Sequence, residues 1–210
     1  YTSHPRDMTD DLISIYGISK KLMPLVHLPV QSGSDKILNL MNRKHTINEY
    51  YEIYKKIKNI NPKIKFSSDF IIGYPEEQED DFQDTLNLIK KIDFINSFSF
   101  IFSPRPGTEA AKLKLVEKKI SQRRLEKVQK QLFENQILMN KSLENKEIEV
   151  LVENKTKKGN KFFGRSEYMT SVIFDGNDDD IGNIIKVKIN SSNQNTLFGE
   201  NFKKIEKRVA

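Results

Sequence analysis

The 210-residue sequence contains no cysteine. That excludes disulfides and thiolate metal sites within these residues. Histidine is nearly as scarce: His4, His27 and His45 are widely separated and lack metal-ligand spacing. No apolar run approaches the roughly 20 residues needed to span a bilayer. Tyr1-Thr2-Ser3-His4-Pro5 lacks a basic region followed by an apolar one, so the expectation is a cytoplasmic protein with no membrane partner. There is no G-x-S-x-G, no P-loop, no G-x-G-x-x-G and no internal repeat. The one acidic cluster, Asp178-Asp179-Asp180, reads as a solvated hairpin tip, because calcium needs more spaced oxygen ligands.

What the chain does have is a local basic excess. Net charge is +6, yet residues 112–141 alone carry 9 Lys+Arg against 3 Asp+Glu. Such a stripe attracts phosphate backbones, although a solvated helix face is the plainer reading of charge alone.

Up to about residue 103 the sequence alternates strand and helix. Asp7 is placed to cap a helix with Met8, Leu12 and Ile15 apolar, ended by Gly17. Strands are expected at 25–31, 64–72 and 95–102. Ser34 caps a short helix burying Ile37, Leu38 and Met41. Thr46-Ile47-Asn48-Glu49 is a capping box ahead of Tyr50, Ile53, Tyr54 and Ile57. Phe82, Thr85, Leu86 and Ile89 follow helical spacing. Repeated β-α-β implies a parallel sheet with right-handed crossovers. In the last strand Phe98, Phe100 and Phe102 alternate with serines. The expectation is phenylalanines outward under helices and serines toward a polar lumen. A long helix over about 118–143 carries Leu125, Val128, Leu132 and Met139 on one face, with Arg123, Arg124, Lys127 and Lys130 extending from it. From about 144 the period becomes two, with strands at 147–152, 161–165, 171–175, 184–190 and 196–200. That suggests a small closed β-barrel of the OB-like kind over 144–210.

Ligands of parallel α/β folds bind at the C-terminal ends of strands. Three such ends are legible. The first is Gln31-Ser32-Gly33-Ser34, where a carboxamide both donates and accepts and a glycine permits close approach. Asp69 to Pro75 forms the second. An acid within an apolar strand there implies either a ligand contact or a satisfied internal hydrogen bond, and Gly73 and Pro75 shape a turn. In the third, Ser103-Pro104-Arg105-Pro106-Gly107-Thr108, two prolines stiffen a loop around one arginine suited to a carboxylate or phosphate, or merely exposed. Arg43 follows the first end by one helix. Glu76 and Glu77 read as acids at a helix first turn. In the barrel segment Lys155, Lys157, Lys158, Lys161 and Arg165 have no acidic residue among them and are interleaved with Phe162 and Phe163. That composition suits RNA stacking and phosphate contact, or equally a lysine-rich hairpin with core phenylalanines.

Taken in order, Thr2 to Asp7, His27 to Asp35, Met41 to Thr46, Asp69 to Pro75 and Ser103 to Thr108 resemble segments of the MiaB-type radical S-adenosylmethionine (SAM) methylthiotransferases. The region after 144 resembles their RNA-binding TRAM domain. The resemblance implies the C-terminal part of a parallel (β/α) partial barrel, with its connecting basic helix, over 1–143 and a TRAM barrel over 144–210. It further implies an enzyme that methylthiolates carbon 2 of isopentenyladenosine beside the tRNA anticodon. One cluster cleaves SAM to a 5′-deoxyadenosyl radical, and a second supplies the sulfur. Gln31, Ser32, Gly33, Arg43, Asp69, Gly73, Pro75 and Arg105 would then lie on the SAM side. Lys155, Lys157, Lys158, Lys161 and Arg165 would face the anticodon stem-loop. Cofactors would be SAM and two [4Fe–4S] clusters, and an electron donor a further partner. Departures are Glu76, where the family usually has glycine, and the missing cysteine triads, since clusters need thiolates. Tyr1 then falls near the third barrel strand, the triads lie upstream, and these residues alone are expected to be inactive. Competing readings are a methylthiotransferase acting on threonylcarbamoyladenosine, and a non-catalytic RNA-binding protein retaining the TRAM module.

Overall fold

A computed structural model describes residues 3–157 and 161–201. Thr2 and Lys158 lie outside the described residues. The chain divides into two compact units, Tyr1–Leu132 and Phe133–Ala210.

The first unit begins with a 3₁₀ turn, Pro5–Asp7, and helix α1, Asp10–Ile18. Thr9, rather than Asp7, caps α1: its side chain accepts the Leu12 N–H at 3.4 Å. Asp7 is already committed to the preceding turn. Gly17 lies inside α1 instead of ending it, because a Cβ there would run into the Ile60 side chain. Strand β1 (Leu25–His27) leads to α2 (Asp35–Leu40), whose Ser34 cap accepts from Ile37 N–H. Helix α3 (Ile47–Ile60) opens on the expected capping box: Thr46 Oγ1 accepts the Glu49 N–H, and Glu49 accepts the Thr46 N–H at 2.7 Å. Strands β2 (Lys65–Ser67) and β3 (Asp69–Ile72) are one expected strand interrupted at Ser68. Helix α4 (Glu79–Ile92), β4 (Phe98–Ile101) and α5 (Lys118–Ser142) follow.

β1 pairs with β2 and β3 with β4, all parallel, and Gln31 bridges to Phe70. Val26, Leu28, Val30, Phe66, Phe70 and Ile72 pack into one core with residues of α3, α4 and the first half of α5. Register decides which way β4 faces. Ser99 and Ile101 pair with Phe70 and Ile72, on the helix side, while Phe98 and Phe100 pair with Asp69 and Ile71. The outward phenylalanines expected from the sequence are therefore reversed. Phe98 and Phe100 stand on the helix-free face, 60% and 56% exposed.

Two further expectations are corrected at the α4 entrance. Glu76 and Glu77 precede the helix, which starts at Glu79. Arg124 does not extend from α5 into solvent. It is buried, donating to Glu77 Oε1 at 2.8 Å, to the Glu77 carbonyl at 3.1 Å and to Glu79 Oε2 at 3.1 Å. Glu77 in turn accepts the Gly73 N–H with both oxygens, at 3.1 and 3.2 Å. Burial pushes the Glu77 carboxyl up, against the pull of Arg124 and the Gly73 amide. Glu76, where the resemblance calls for glycine, has φ +67°. The turn keeps the backbone that favours glycine and holds a glutamate in it.

The second unit is a closed barrel of β5 (Glu147–Lys155), β6 (Lys161–Ser166), β7 (Ser171–Asp175), β8 (Ile184–Ser192) and β9 (Thr196–Asn201), in the order β5-β6-β7-β9-β8. Its interior holds Val150, Val152, Phe162, Val172, Phe174 and Val187. Register shifts in β5 at Val152/Asn154 and in β8 at Ile189/Ser191 bend the sheet toward closure. All five strands expected from period two are present. Asp178–Asp180 forms a 3₁₀ turn between β7 and β8.

Removing one partner of a buried ion pair strands the other charge. Arg124→Ala is expected to cost about 3–5 kcal/mol of stability. Adding Glu77→Gln to it should recover part of that loss, read from urea midpoints at constant slope.

His45 is buried beside His4 and Tyr50, and neither ring nitrogen has a hydrogen-bond partner among the described residues. Burial, then the fields of His4 and Arg43, lower its pKa to about 4. The unfolded chain takes up this proton near the ordinary 6.5, while the folded chain resists until about 4. Acid therefore favours unfolding across that window, by up to about 3 kcal/mol, and the loss levels off below it. His45→Phe should flatten this stretch of the stability–pH curve. A slope unchanged by the substitution would remove His45 as its origin.

Candidate cofactor face and nucleic-acid surface

The helix-free face of the parallel sheet gathers polar groups at adjacent registers. His27 on β1 pairs with Ser67, and Asp69 opens β3 two residues later. His27 Nδ1 lies 2.9 Å from Ser67 Oγ, and His27 Nε2 lies 3.5 Å from Asp69 Oδ2. Both side chains are about 70% covered, at 27% and 30% exposure, so this acid within an apolar strand is partnered and still reachable. Arg43, after α2, is near enough for the Asp69 carboxylate to favour its charge, although burial lowers its pKa overall.

Gln31 is buried and adopts φ +74°. Its N–H donates to the Asp69 carbonyl at 3.0 Å, and its carbonyl accepts from Ile71 N–H at 2.9 Å. The first and second strand ends are thereby joined through backbone. Ser32 and Gly33 turn toward α4. Gly33 N–H donates to Thr85 Oγ1 at 2.9 Å, and a Cβ on Gly33 would lie 2.5 Å from Thr85 Cα. The close approach that glycine allows here is to a helix backbone. Gly73, at φ +70°, and Pro75 are both buried, and Tyr74 between them donates from its hydroxyl to the Leu40 carbonyl at 3.0 Å. Arg105 stands apart on an exposed turn whose carbonyl accepts from Thr108 N–H and Oγ1.

Sequence reasoning passed over three participants. His27 reads from the sequence as a core histidine. Asp81 and Lys36 have no place in the sequence reading, yet Asp81 accepts from Ser34 Oγ at 2.6 Å, Lys36 Nζ at 2.7 Å and Gln78 N–H at 2.9 Å. Burial pushes the Asp81 carboxyl up, but those three donors outweigh it and its pKa is lowered. The acid thus pins the first strand-end turn to the start of α4. The only hint in the sequence is an acid at the third position of a helix. Among the described residues no group of three His, Cys, Asp or Glu is placed to hold a metal ion.

On the barrel unit, Lys155, Lys157, Lys161 and Arg165 are at or near the surface, but three have acidic neighbours across the strands. Lys155 meets Asp178 at 3.3 Å, Lys161 meets Asp175 at 3.0 Å and Arg165 lies 3.7 Å from Glu153. Phe162 is core, while Phe163 lies under the Arg165 guanidinium at 5.0 Å. The basic run that looks uncompensated along the sequence is partly compensated in space.

No helix of the structure is long and apolar enough to cross a membrane, among the described residues. Residues 2–89 match the radical SAM superfamily and residues 141–202 the TRAM domain. Over 209 residues the chain is 68% identical to the tRNA-2-methylthio-N(6)-dimethylallyladenosine synthase of Pelagibacter ubique (strain HTCC1062), covering 100% of this chain and 47% of that protein. The chain thus spans about half the length of the curated relative it matches. Among solved structures, coproporphyrinogen III oxidase (HemN) from Escherichia coli, a radical SAM enzyme, superposes with a TM-score of 0.54 over 94% of this chain and 50% of that one. At 12% identity this is a likeness of fold. Residues 2–89 are thus similar to the radical SAM superfamily and residues 141–202 to the TRAM domain, with the solved structure adding a likeness of fold alone.

Proposed function

We propose that this chain is the SAM-positioning and tRNA-gripping part of a cytoplasmic methylthiotransferase that modifies carbon 2 of isopentenyladenosine next to the anticodon. One observation carries the reading. A polar group of Gln31, Arg43 and Asp69 at parallel strand ends and a closed barrel similar to the TRAM domain occur in one chain whose whole length matches 47% of a named synthase of this activity.

The donor set fits SAM. Asp69 offers a carboxylate to ribose hydroxyls, Arg43 offers a guanidinium to an amino-acid carboxylate, and Gln31 offers a carboxamide. The buried Gly73-Tyr74-Pro75 turn sets the floor beside them, and Ser32 and Gly33 hold the neighbouring turn on α4. Arg105 on its stiffened loop is a second cation for SAM or for substrate phosphate. Bound SAM supplies a 5′-deoxyadenosyl group, and the work of this chain is to orient it. An iron–sulfur cluster does not fit the residues present, which include no cysteine. The two [4Fe–4S] clusters of the proposed enzyme, and the electron donor that serves them, therefore require ligands and surfaces from outside these residues.

RNA attraction comes from charge left over after the cross-strand pairs. The exposed Arg123, Lys127 and Lys130 of α5 add to it, as do Lys157 and Lys158 of the barrel unit, while Phe163 offers a face for base stacking.

Two outcomes test the reading in the full-length protein. Asp69→Asn and Arg43→Gln should each weaken SAM binding about tenfold or more in equilibrium dialysis, with the fold intact by circular dichroism. SAM affinity unmoved by either would remove this face as its site. Changing Lys157, Lys158 and Arg165 together to alanine should weaken anticodon stem-loop binding. It should also flatten the log affinity–log salt slope by roughly two to three, at about 0.7–0.9 for each phosphate that is no longer neutralised. An unchanged slope would exclude this surface from the RNA interface.

A further inference from the structure

Resting on the reading of this chain as part of an enzyme that acts on a tRNA loop, we infer a second RNA contact, built from no strand residue. The cleft between the Pro5–Asp7 turn and the first turns of α3 receives one unpaired nucleotide of the loop other than the one modified. Its base lies on an apolar floor, its edge meets Asn48 and His45, and its phosphate meets Lys44.

The cleft measures about 340 Å³, at the small end of ligand sites, which suits a base with its ribose. Pro5, Met8 and Ile53 supply the floor. His45 is only 7% exposed and lines the cleft, yet neither of its ring nitrogens has a partner among the described residues. At least one nitrogen of any imidazole is a donor, and a buried donor without an acceptor is costly. The neighbouring rings do not relieve it. His4 Nδ1 is taken by the Arg6 N–H at 3.1 Å, and the Tyr50 hydroxyl is directed to the Leu28 carbonyl at 2.8 Å.

Asn48 is exposed, and its carboxamide makes no hydrogen bond among the described residues. It can donate and accept at once, as the edge of a base requires. Most charges of the lining are committed: Arg6 to Asp7 at 3.2 Å, Lys56 to Asp10 at 2.6 Å, Glu49 to the Thr46 amide at 2.7 Å, and Glu52 to Lys55. Lys44 has no ion pair among the described residues, so the charge left over is positive and suits a phosphate.

Unpaired RNA is read in this way, by bases splayed onto apolar or aromatic surfaces with polar groups at their edges. An enzyme that works on one base of a loop must unstack it, and the neighbour that loses its stacking partner needs another surface. The walls are set in advance. The Thr46–Glu49 box fixes the start of α3, and Asp35 accepts the Ile47 N–H at 2.7 Å, so little entropy is lost on binding.

The test uses the full-length protein and anticodon stem-loops carrying one abasic nucleotide at each loop position in turn, with affinity read by fluorescence anisotropy. In wild type, one abasic position other than the modified nucleotide should weaken binding about tenfold. Asn48→Ala, at an exposed position, should weaken the intact stem-loop about fivefold and cut that abasic penalty to about twofold. Lys44→Ala should flatten the log affinity–log salt slope by about 0.7, the share of one single-strand phosphate. The ¹⁵N signals of His45 should shift on addition of the intact stem-loop and stay in place with the abasic one. A purely structural Asn48 would leave every abasic penalty unchanged, and that result would overturn the inference. So would a wild type indifferent to every abasic position except the modified one. Failure of wild type to bind the intact stem-loop would instead overturn the tRNA reading on which the inference rests.

Discussion

The buried pair of Glu77 and Arg124 holds the C-terminal end of β3 in place. Glu77 closes the Gly73 turn through the amide at its start, and Arg124 reaches in from a helix 47 positions away to neutralise it. A carboxylate with 2% side-chain exposure would be untenable without that partner. With it, the chain leaves β3 at a fixed angle, Tyr74 is delivered to Leu40 and Phe102, and α4 begins where Asp81 can tie it to Ser34 and Lys36. Rigidity at a binding face comes from such support, because groups that are already ordered lose little entropy when a ligand arrives. The basic stripe of α5 thus contributes one member to architecture and leaves Arg123, Lys127 and Lys130 for solvent or phosphate.

Much of the fold was legible because it rests on short-range rules. The Thr46–Glu49 box, the Ser34 cap and the 3.6-residue apolar spacing of α3 and α4 need only neighbours in sequence. The five barrel strands announce themselves by alternation. What period two does not reveal is which face of a strand meets the helices. Phe98, Phe100 and the intervening serine fit either orientation, and only the pairing of Ser99 with Phe70 decides it. The same limit hid Arg124, whose partner is remote in sequence, and the cross-strand acids that meet Lys155, Lys161 and Arg165. At Thr9 the error was local: two candidate caps stand close together, and the 3₁₀ turn at Pro5 claims Asp7 first.

The candidate site was legible in position more than in mechanism. Strand ends of a parallel sheet mark where a ligand sits, and Gln31, Asp69 and Gly73 fall there. Their separate tasks are not written in spacing. Gly33 looks like room for a ligand and is room for Thr85. His27 looks like filler and is held by Ser67 with its outer nitrogen toward Asp69. Hydrogen-bond capacity separates these cases, because each donor can be assigned once, and that accounting requires distances.

The reversed phenylalanines bear on how strongly the face can bind. Phe98 sits in register with Asp69, and Phe100 with Ile71, their rings 6.5 Å apart and nearly parallel. Aromatic surface beside a carboxylate is unfavourable in water and favourable once something covers both. Covering removes water from Asp69, and in the lower dielectric the fields of Arg43 and of any donor to the carboxylate strengthen. A lumen lined with serines would have kept that carboxylate hydrated and its interactions weak. By placing the serines toward the helices and the rings on the helix-free face, the strand makes the polar contacts of its neighbour depend on whether that face is covered.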